Sequence, residues 1–185
     1  MMILRNLAAA AALVMLGGCW QADGSLYAKA DPVTPFRAGQ VTQTGGKDGD
    51  KHFALTLNKD GSYRLTGTGK DAEPGEAIGL RILNLRGIPE DMYLYEAVSL
   101  SHCNTPSGCD AVKANDPRYY GLIRKTATGA EEIRPDCKRD HNATEPFGIK
   151  EKGGVCTFKA RDGIETGMII LAQTGRKPDY IWRMK

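Results

Sequence analysis

The chain begins with an apolar segment that is too short to cross a membrane. Leu7 to Leu16 form a run of ten uncharged residues, preceded by Arg5 and followed by Gly17 and Gly18. A helix of ten residues spans about 15 Å, whereas the apolar core of a bilayer is about 30 Å thick. A short positive start, an apolar centre and a small-residue end are typical of an export signal. We therefore expect residues 1–18 to be removed as a signal peptide, so that the fold is built from the residues that follow.

A cysteine stands directly after this segment. The order Leu16-Gly17-Gly18-Cys19 resembles the lipobox of bacterial lipoproteins, in which the cysteine thiol receives a diacylglycerol and the signal is cut just before it. The resemblance covers residues 1–19 and implies a membrane anchor on Cys19, where two or three acyl chains such as palmitate hold a protein stably. Trp20 stands where inner-membrane lipoproteins tend to carry Asp, so the resemblance implies the outer membrane, facing the periplasm.

The residues after the lipidated cysteine lack a clear strand or helix pattern. Residues 20–51 are rich in Gly, Asp, Lys and Thr and contain Pro32 and Pro35. Such a composition is typical of a linker. We therefore predict a lipidated N-terminus and tether over residues 19–51, and one disulfide-stabilised domain over residues 52–185.

Four further cysteines remain, and an even number in an exported chain favours two disulfides. Three pairings are compatible with the sequence. We favour Cys103–Cys109, which would close a Pro- and Gly-containing turn, and Cys137–Cys156, which would close a polar segment. Zinc is the alternative, because Cys137 and His141 are four residues apart; however, the chain lacks the two short cysteine pairs that structural zinc sites usually contain. We expect no metal.

Composition excludes several classes of protein. Leu, Ile, Val and Phe make up only 30 of the 167 residues after Gly18, while Lys and Arg number 25 against 22 Asp and Glu in the full chain. The near-balanced charge argues against a nucleic-acid binder with a strongly basic face. Seven Tyr and two Trp add buriable surface, so we expect a folded domain with a thin core.

Alternation of apolar and polar residues dominates the body of the chain. Phe53, Leu55 and Leu57 alternate with polar or small residues, and Tyr63 and Leu65 do so after a turn at Lys59-Asp60-Gly61. This pattern predicts a β-hairpin with a left-handed glycine. Further strands are predicted at 78–86, 92–101, 118–126, 155–160 and 179–184.

The C-terminal segment has helical spacing instead. Asp162 and Glu165 resemble a capping box, and apolar residues from Ile164 to Ala172 recur at roughly helical intervals before Gly175 and Pro178. This predicts a helix over about 163–174; a buried strand at 168–173 is the alternative. The predicted fold is α+β and mainly β, a small antiparallel sheet or barrel with one C-terminal helix.

No linear motif of an enzyme or cofactor site is present, and we predict no cofactor and no catalytic residue. The one candidate ligand groove comes from aromatic and basic residues on two predicted strands. Tyr93 and Tyr95 share a strand face, and Tyr119 and Tyr120 precede Arg124. Together they would form an aromatic and basic groove for an acidic glycan or peptide; a tyrosine-rimmed β core would explain the same residues.

These observations favour a non-enzymatic lipoprotein of the bacterial envelope with a binding or structural role. Its expected partners are the membrane, through the lipid, and an envelope protein or glycan; nucleic acid is not expected. Two alternatives stay open. One is an inhibitor or carrier of the lysozyme-inhibitor or lipocalin-like type, and the other is a periplasmic hydrolase whose site is assembled in space.

Overall fold

Strands account for most of the ordered structure in the computed structural model, which describes residues 20–46, 49–69, 77–100, 114–144, 147, 149 and 151–185. About 45% of the described residues lie in strands. The strands are β1 Trp20–Asp23, β2 Gly39–Thr44, β3 Lys51–Leu57, β4 Tyr63–Gly67, β5 Ala77–Leu83, β6 Met92–Ser99, β7 Pro117–Thr126, β8 Gly129–Ile133, β9 Glu151–Lys152, β10 Val155–Thr157 and β11 Tyr180–Met184. The helices are α1 His141–Thr144 and α2 Arg161–Gln173.

Eight of the strands close into an antiparallel barrel. The order around the barrel is β2-β3-β4-β5-β6-β7-β8-β11, and β11 pairs with β2 to complete the circle. The remaining three strands lie outside the barrel: β1 pairs with the first residues of β7, and β10 and β9 extend from β1. Closure removes the exposed strand edges that an open sheet of this length would present.

The period-two alternation of the strands divides the apolar residues between two cores. Inward side chains, including Leu55, Tyr63 and Trp182, fill the barrel. Outward side chains of β6 and β7, including Leu94 and Leu122, pack against α2 through residues such as Met168. The same strands are therefore buried on both faces where the helix covers them, which explains why residues 92–99 carry apolar residues at nearly every position.

The hairpin and strand predictions are confirmed with small shifts of their boundaries. In the β3–β4 hairpin, Leu57 pairs with Tyr63, and Gly61 in the turn has a φ of 80°. The predicted C-terminal helix is also confirmed, so the alternative strand at 168–173 is wrong. Its start differs from the prediction, however. The N-cap is Ala160, which makes no side-chain cap, and Asp162 lies inside the first turn; the capping-box interpretation is therefore wrong.

The predicted tether is the main error of the sequence analysis. Residues 20–46 are part of the fold: Trp20 and Ala22 are buried in β1, and Val41 is buried in β2. Between these strands, Phe36 is buried in the barrel core, where the Tyr63 hydroxyl donates to its carbonyl at 2.8 Å. Short strands separated by Gly and Pro have the composition of a linker, and only the long-range pairing with β7, β3 and β11 reveals them.

The disulfide between Cys137 and Cys156 is present and joins the segment after β8 to β10, with 5.6 Å between the Cα atoms. Closing a loop of this size stabilises the folded state by about 3 kcal/mol in the chain-entropy description. The expected pair Cys103–Cys109 and the lipidation site Cys19 lie outside the described residues. Within the described ranges, no helix combines the length and apolar character needed to span a bilayer.

Candidate functional site

A buried carboxylate lies at the centre of the barrel. Glu132, on β8, is 2% exposed and accepts hydrogen bonds from Tyr95 Oη at 2.9 Å, Gln43 Nε2 at 3.0 Å and Trp182 Nε1 at 2.8 Å. Arg134, two residues further along the same face, donates from Nε to Glu132 Oε1 at 2.6 Å. Its guanidinium also lies 4.0 Å from the centre of the Tyr180 ring. Both carboxylate oxygens of Glu132 are thus fully used.

This network changes the proton affinity of its members. Burial, and then the charge of Glu132, raise the pKa of Tyr95 well above its usual range. Burial alone would lower the pKa of Arg134, but the adjacent carboxylate more than offsets this effect and raises it. The tyrosine therefore stays protonated and the arginine charged over the physiological range, which keeps the donors of Glu132 in place.

The barrel is filled rather than hollow. Tyr95 faces Gly121 across the β6–β7 pair, and a Cβ atom on Gly121 would lie 2.5 Å from the tyrosine hydroxyl, so the glycine makes room for this ring. Around Glu132 the side chains leave a cavity of about 30 Å³. That volume holds one or two water molecules, whereas cavities for small organic ligands measure about 300–1,000 Å³.

A larger concavity lies on the outer wall of the barrel. It is an open groove of about 650 Å³ over the outer faces of β4, β5 and β6, between the loop after β1 and the turn of the β3–β4 hairpin. We call it the outer groove. Its lining side chains are mostly polar or charged and include Ser25, Asp60, Arg64, Arg81, Glu96 and Arg118.

The groove contains a second buried carboxylate, Glu96 on β6, which is 3% exposed. Ser25 Oγ donates to its two oxygens at 2.8 and 2.9 Å, and Tyr120 Oη donates at 2.8 Å. Burial, and then the charge of Glu96, raise the pKa of Tyr120. No salt bridge joins Glu96 to another residue within the described part of the chain, so it is held by neutral hydroxyls alone.

Three arginines also line the same groove, and one of them, Arg81, lies directly opposite Glu96 in the β5–β6 pair. Arg81 donates to the carbonyls of Tyr27 and Ala30 at 2.8 and 2.6 Å, and Arg118 donates to the carbonyl of Asp116 at 3.1 Å. Arg64 lies on the outer face of β4. Among the described residues, none of the three arginines forms a salt bridge. Backbone carbonyls orient a guanidinium but do not neutralise it, so these residues leave positive charge in the groove.

The floor of the groove depends on a glycine. Gly79, in β5, lies opposite Arg64 on one side and Val98 on the other. A Cβ atom there would lie 3.0 Å from Val98 Cγ1. The missing side chain therefore deepens the groove between Arg64 and Val98.

The tip of the β3–β4 hairpin forms one wall. Asp60 accepts hydrogen bonds from the backbone nitrogen and the hydroxyl of Ser62 at 3.0 and 2.6 Å, and these bonds lower the pKa of Asp60. Asn58 adds a bond to the Ser62 hydroxyl at 3.0 Å. The exposed residue Lys59 is thus carried on a turn that is already ordered.

The five residues of the predicted aromatic groove are divided between the two faces of the barrel wall. Tyr93, Tyr95 and Tyr119 belong to the interior, as their alternation with outward residues requires. Tyr120 points outward to Glu96. Arg124 also points outward, 3.4 Å from Glu131. Adjacent residues of a strand project to opposite faces, so Tyr119 and Tyr120 belong to different sites.

Sequence reasoning missed the acidic and basic residues that matter most. Glu96 lies in a strand between the apolar residues Tyr95 and Ala97, and the spacing of Glu132 and Arg134 places those two on one face of an extended chain. A charged residue inside an apolar strand pattern was the available signal. The residues that lie opposite these carboxylates could not be read from the sequence, because they come from distant segments.

The described residues contain no group of three or more His, Cys, Asp or Glu side chains arranged to hold a metal ion. No family model, no curated protein and no solved structure matches the chain.

Proposed function

We propose that this chain is a non-enzymatic binding module of the bacterial envelope, anchored by lipid on Cys19 to the outer membrane and facing the periplasm. We further propose that the outer groove binds an anionic group, a carboxylate or a phosphate, presented by an envelope component. The observation that carries this proposal is the set of Arg64, Arg81 and Arg118 around one concavity, none of which forms a salt bridge with another residue that the structure describes.

The chemistry of the groove favours ionic recognition. Arginine presents up to five donors in a planar fork that matches the oxygens of carboxylates and phosphates. Arg81 and Arg118 are already oriented by backbone carbonyls, so little side-chain entropy is lost when they meet an anion. No aromatic side chain lines the described part of the groove, so stacking on a sugar ring is a poor alternative.

Two other modes of binding fit the structure less well. A carrier of the lipocalin-like type needs an interior cavity, and the space beside Glu132 is too small for an organic ligand. A peptide that adds a strand needs a free sheet edge, but β4, β5 and β6 are each paired on both sides within the barrel. Recognition by side chains over a closed wall is the mode that remains.

The test uses the mature lipoprotein in phosphatidylcholine nanodiscs and three probes: inorganic phosphate, dihexanoyl phosphatidylglycerol and soluble peptidoglycan fragments. Calorimetry should detect binding of at least one probe, and the pattern among them separates phosphate from carboxylate sources. Arg64→Gln should weaken that binding about tenfold, as expected for a loss of about 1.4 kcal/mol from one charge-assisted hydrogen bond.

Gly79→Val should also weaken binding, because its side chain fills the floor of the groove. Arg183→Gln is the matched control, since Arg183 is an exposed arginine on β11, outside the groove. The proposal is wrong if no probe binds, or if Arg64→Gln and Gly79→Val both bind as the wild type and the control do.

The ordered basic tip at Lys59 favours a second candidate, an inhibitor that inserts this turn into the cleft of a lysozyme. Such an inhibitor gains from a turn that is rigid before binding. In this case the wild-type protein should slow lysozyme activity on cell walls and Lys59→Ala should not, while Lys125→Ala, at another exposed position, should behave as the wild type.

A further inference from the structure

Trp20, the first residue that the structure describes, is fixed on every side. It is 0% exposed, pairs with Cys156 of β10 and is followed by Gln21, which pairs with Tyr119 of β7. Its ring lies 5.1 Å from that of Phe158. A Cβ atom on Gly167 of α2 would lie 2.7 Å from the indole ring, so the helix carries a glycine at this contact.

This immobility matters because Trp20 is the covalent neighbour of Cys19. Consecutive Cα atoms lie only about 3.8 Å apart. A lipid on Cys19 would therefore be attached one residue before a fully packed side chain, with no intervening linker. The mean reach of a flexible tether is about 5–6 Å multiplied by the square root of its number of residues. Here no residue separates Cys19 from Trp20.

We propose that the domain lies directly against the bilayer, with the surface around Trp20 facing the lipid headgroups. This inference rests on the lipidation of Cys19 in the proposed function. The membrane-facing surface consists of the segments joined to Trp20. One is the β9–β10 hairpin, through the pair of Trp20 with Cys156. The other is the segment 134–140, which the Cys137–Cys156 disulfide holds beside β10.

The charges on this surface suit a layer of phosphate groups. Lys138, Arg139 and Lys152 are exposed there, together with Glu151. Arg139 also lies 3.8 Å from Asp140 and 3.7 Å from Asp179. The other acidic residues of the segment are engaged within the protein. Asp140 pairs with Arg176 at 2.8 Å, and Asp136 accepts hydrogen bonds from the backbone nitrogens of Lys138 and Arg139 at 3.0 and 2.9 Å. The exposed cations therefore outnumber the exposed carboxylate.

The placement also sets how far the outer groove can lie from the membrane. Ser25, which binds Glu96 in the groove, is five residues after Trp20, and five extended residues span at most about 18 Å. The groove is thus held within a few nanometres of the lipid headgroups. Its ligand is a component that reaches the membrane surface, not one confined to the middle of the periplasm.

The chain carries its own reporters, because Trp20 and Trp182 are its two tryptophans. The mature lipoprotein is reconstituted in vesicles of phosphatidylethanolamine and phosphatidylglycerol that contain a nitroxide-labelled headgroup lipid, a short-range quencher of tryptophan fluorescence. In Trp182→Phe the emission of Trp20 should be strongly quenched. In Trp20→Phe the emission of Trp182, inside the barrel, should be quenched less.

A second measurement does not depend on either substitution. A flexible Gly/Ser linker of about 20 residues, whose ends lie about 25 Å apart on average, is inserted between Cys19 and Trp20 in the wild-type chain. The insertion should abolish most of the quenching while the protein still floats with the vesicles. Unchanged quenching in a floating protein overturns the placement. A wild-type chain that does not float overturns the lipid anchor itself, which is a separate result.

Discussion

The barrel wall carries two buried glutamates, one on each face, and their surroundings differ. Glu132 inside the barrel and Glu96 on the outer wall are almost equally buried, at 2% and 3% exposure. Each accepts a hydrogen bond from a tyrosine, Tyr95 and Tyr120 respectively. Glu132, however, is neutralised by Arg134 and fully enclosed, while Glu96 is held by hydroxyls beside an open groove with three arginines.

The difference separates a structural role, for Glu132, from the proposed binding role of the groove around Glu96. A buried charge is tolerated when it is paired and its oxygens are bonded, and Glu132 meets both conditions, so it can fix the register of the strands around it. Glu96 meets only the second condition. Among the described residues no cation forms a salt bridge with it, although Arg81 lies opposite it in the β5–β6 pair. A buried carboxylate of this kind beside an open groove is typical of a site rather than of a core.

The largest effect is expected when the interior carboxylate is removed. Glu132→Ala leaves the buried Arg134 guanidinium without a counter-charge and Tyr95, Gln43 and Trp182 without an acceptor, so the free energy of unfolding should fall by about 3–5 kcal/mol. Urea denaturation measures this change. Glu131→Ala, at the neighbouring outward position, should cost less than about 1 kcal/mol because its pair with Arg124 is partly exposed. Equal losses of stability in Glu132→Ala and Glu131→Ala would contradict the structural role of Glu132.

The next largest effect is the difference in stability between the Phe variants of the two tyrosines. Tyr120→Phe should cost about 3 kcal/mol, because it leaves Glu96 with the Ser25 hydroxyl alone and also removes the acceptor of the Leu26 N–H. Tyr95→Phe should cost about 1.5 kcal/mol, because Glu132 keeps three other donor residues. Both values come from urea denaturation at pH 7. The proposed difference between the two glutamates is contradicted if Tyr95→Phe is less stable than Tyr120→Phe.

Alkaline pH should remove a smaller stabilisation from the same pair. Burial, and then the adjacent glutamate, raise the pKa of both tyrosines above the unfolded value of 10.0. The contribution of this pKa difference to the free energy of unfolding is complete below pH 10. It is lost as the pH rises through the folded pKa, since the unfolded chain releases the protons first.

Raising the pH from 9 to 10.5 should therefore lower the free energy of unfolding by about 1 kcal/mol for each of these tyrosines. Denaturation curves at both pH values measure the loss in the wild type, and each Phe variant should lose that much less. Phenolate absorbance of the folded protein provides a check. Ionisation of Tyr95 and Tyr120 near pH 10 without unfolding would contradict the prediction.

The smallest change in stability is expected for Glu96→Gln. The amide oxygen can still accept from a hydroxyl, and Glu96 forms no ion pair within the described ranges, so the free energy of unfolding should change by less than about 1 kcal/mol. Removing a negative charge from the groove should at the same time strengthen binding of an anionic probe. A large loss of stability, or weaker binding, would indicate that Glu96 belongs to the core.

Much of the fold could be predicted from local pattern, and the errors have physical causes. Alternation identified the hairpin of β3 and β4 and the strands β5, β6 and β7, because each has one face or both in a core. It failed for β1 and β2, whose short strands are separated by Gly and Pro and are stabilised by partners from the far end of the chain. The predicted capping box failed because the helix begins at Arg161, before its supposed cap.

The candidate site was less accessible than the fold. The sequence analysis placed Tyr95 and Tyr120 in one groove, whereas each donates to a different glutamate. The sequence by itself determined the β character, the C-terminal helix and the residues that alternate between the two faces of each strand, because these depend on neighbours a few positions apart. Only the tertiary structure decided that the strands close into a filled barrel, that Trp20 is buried outside it against β10 and α2, and that Arg64, Arg81 and Arg118 line one groove with Glu96. Those contacts join segments whose separation along the chain carries no local signal.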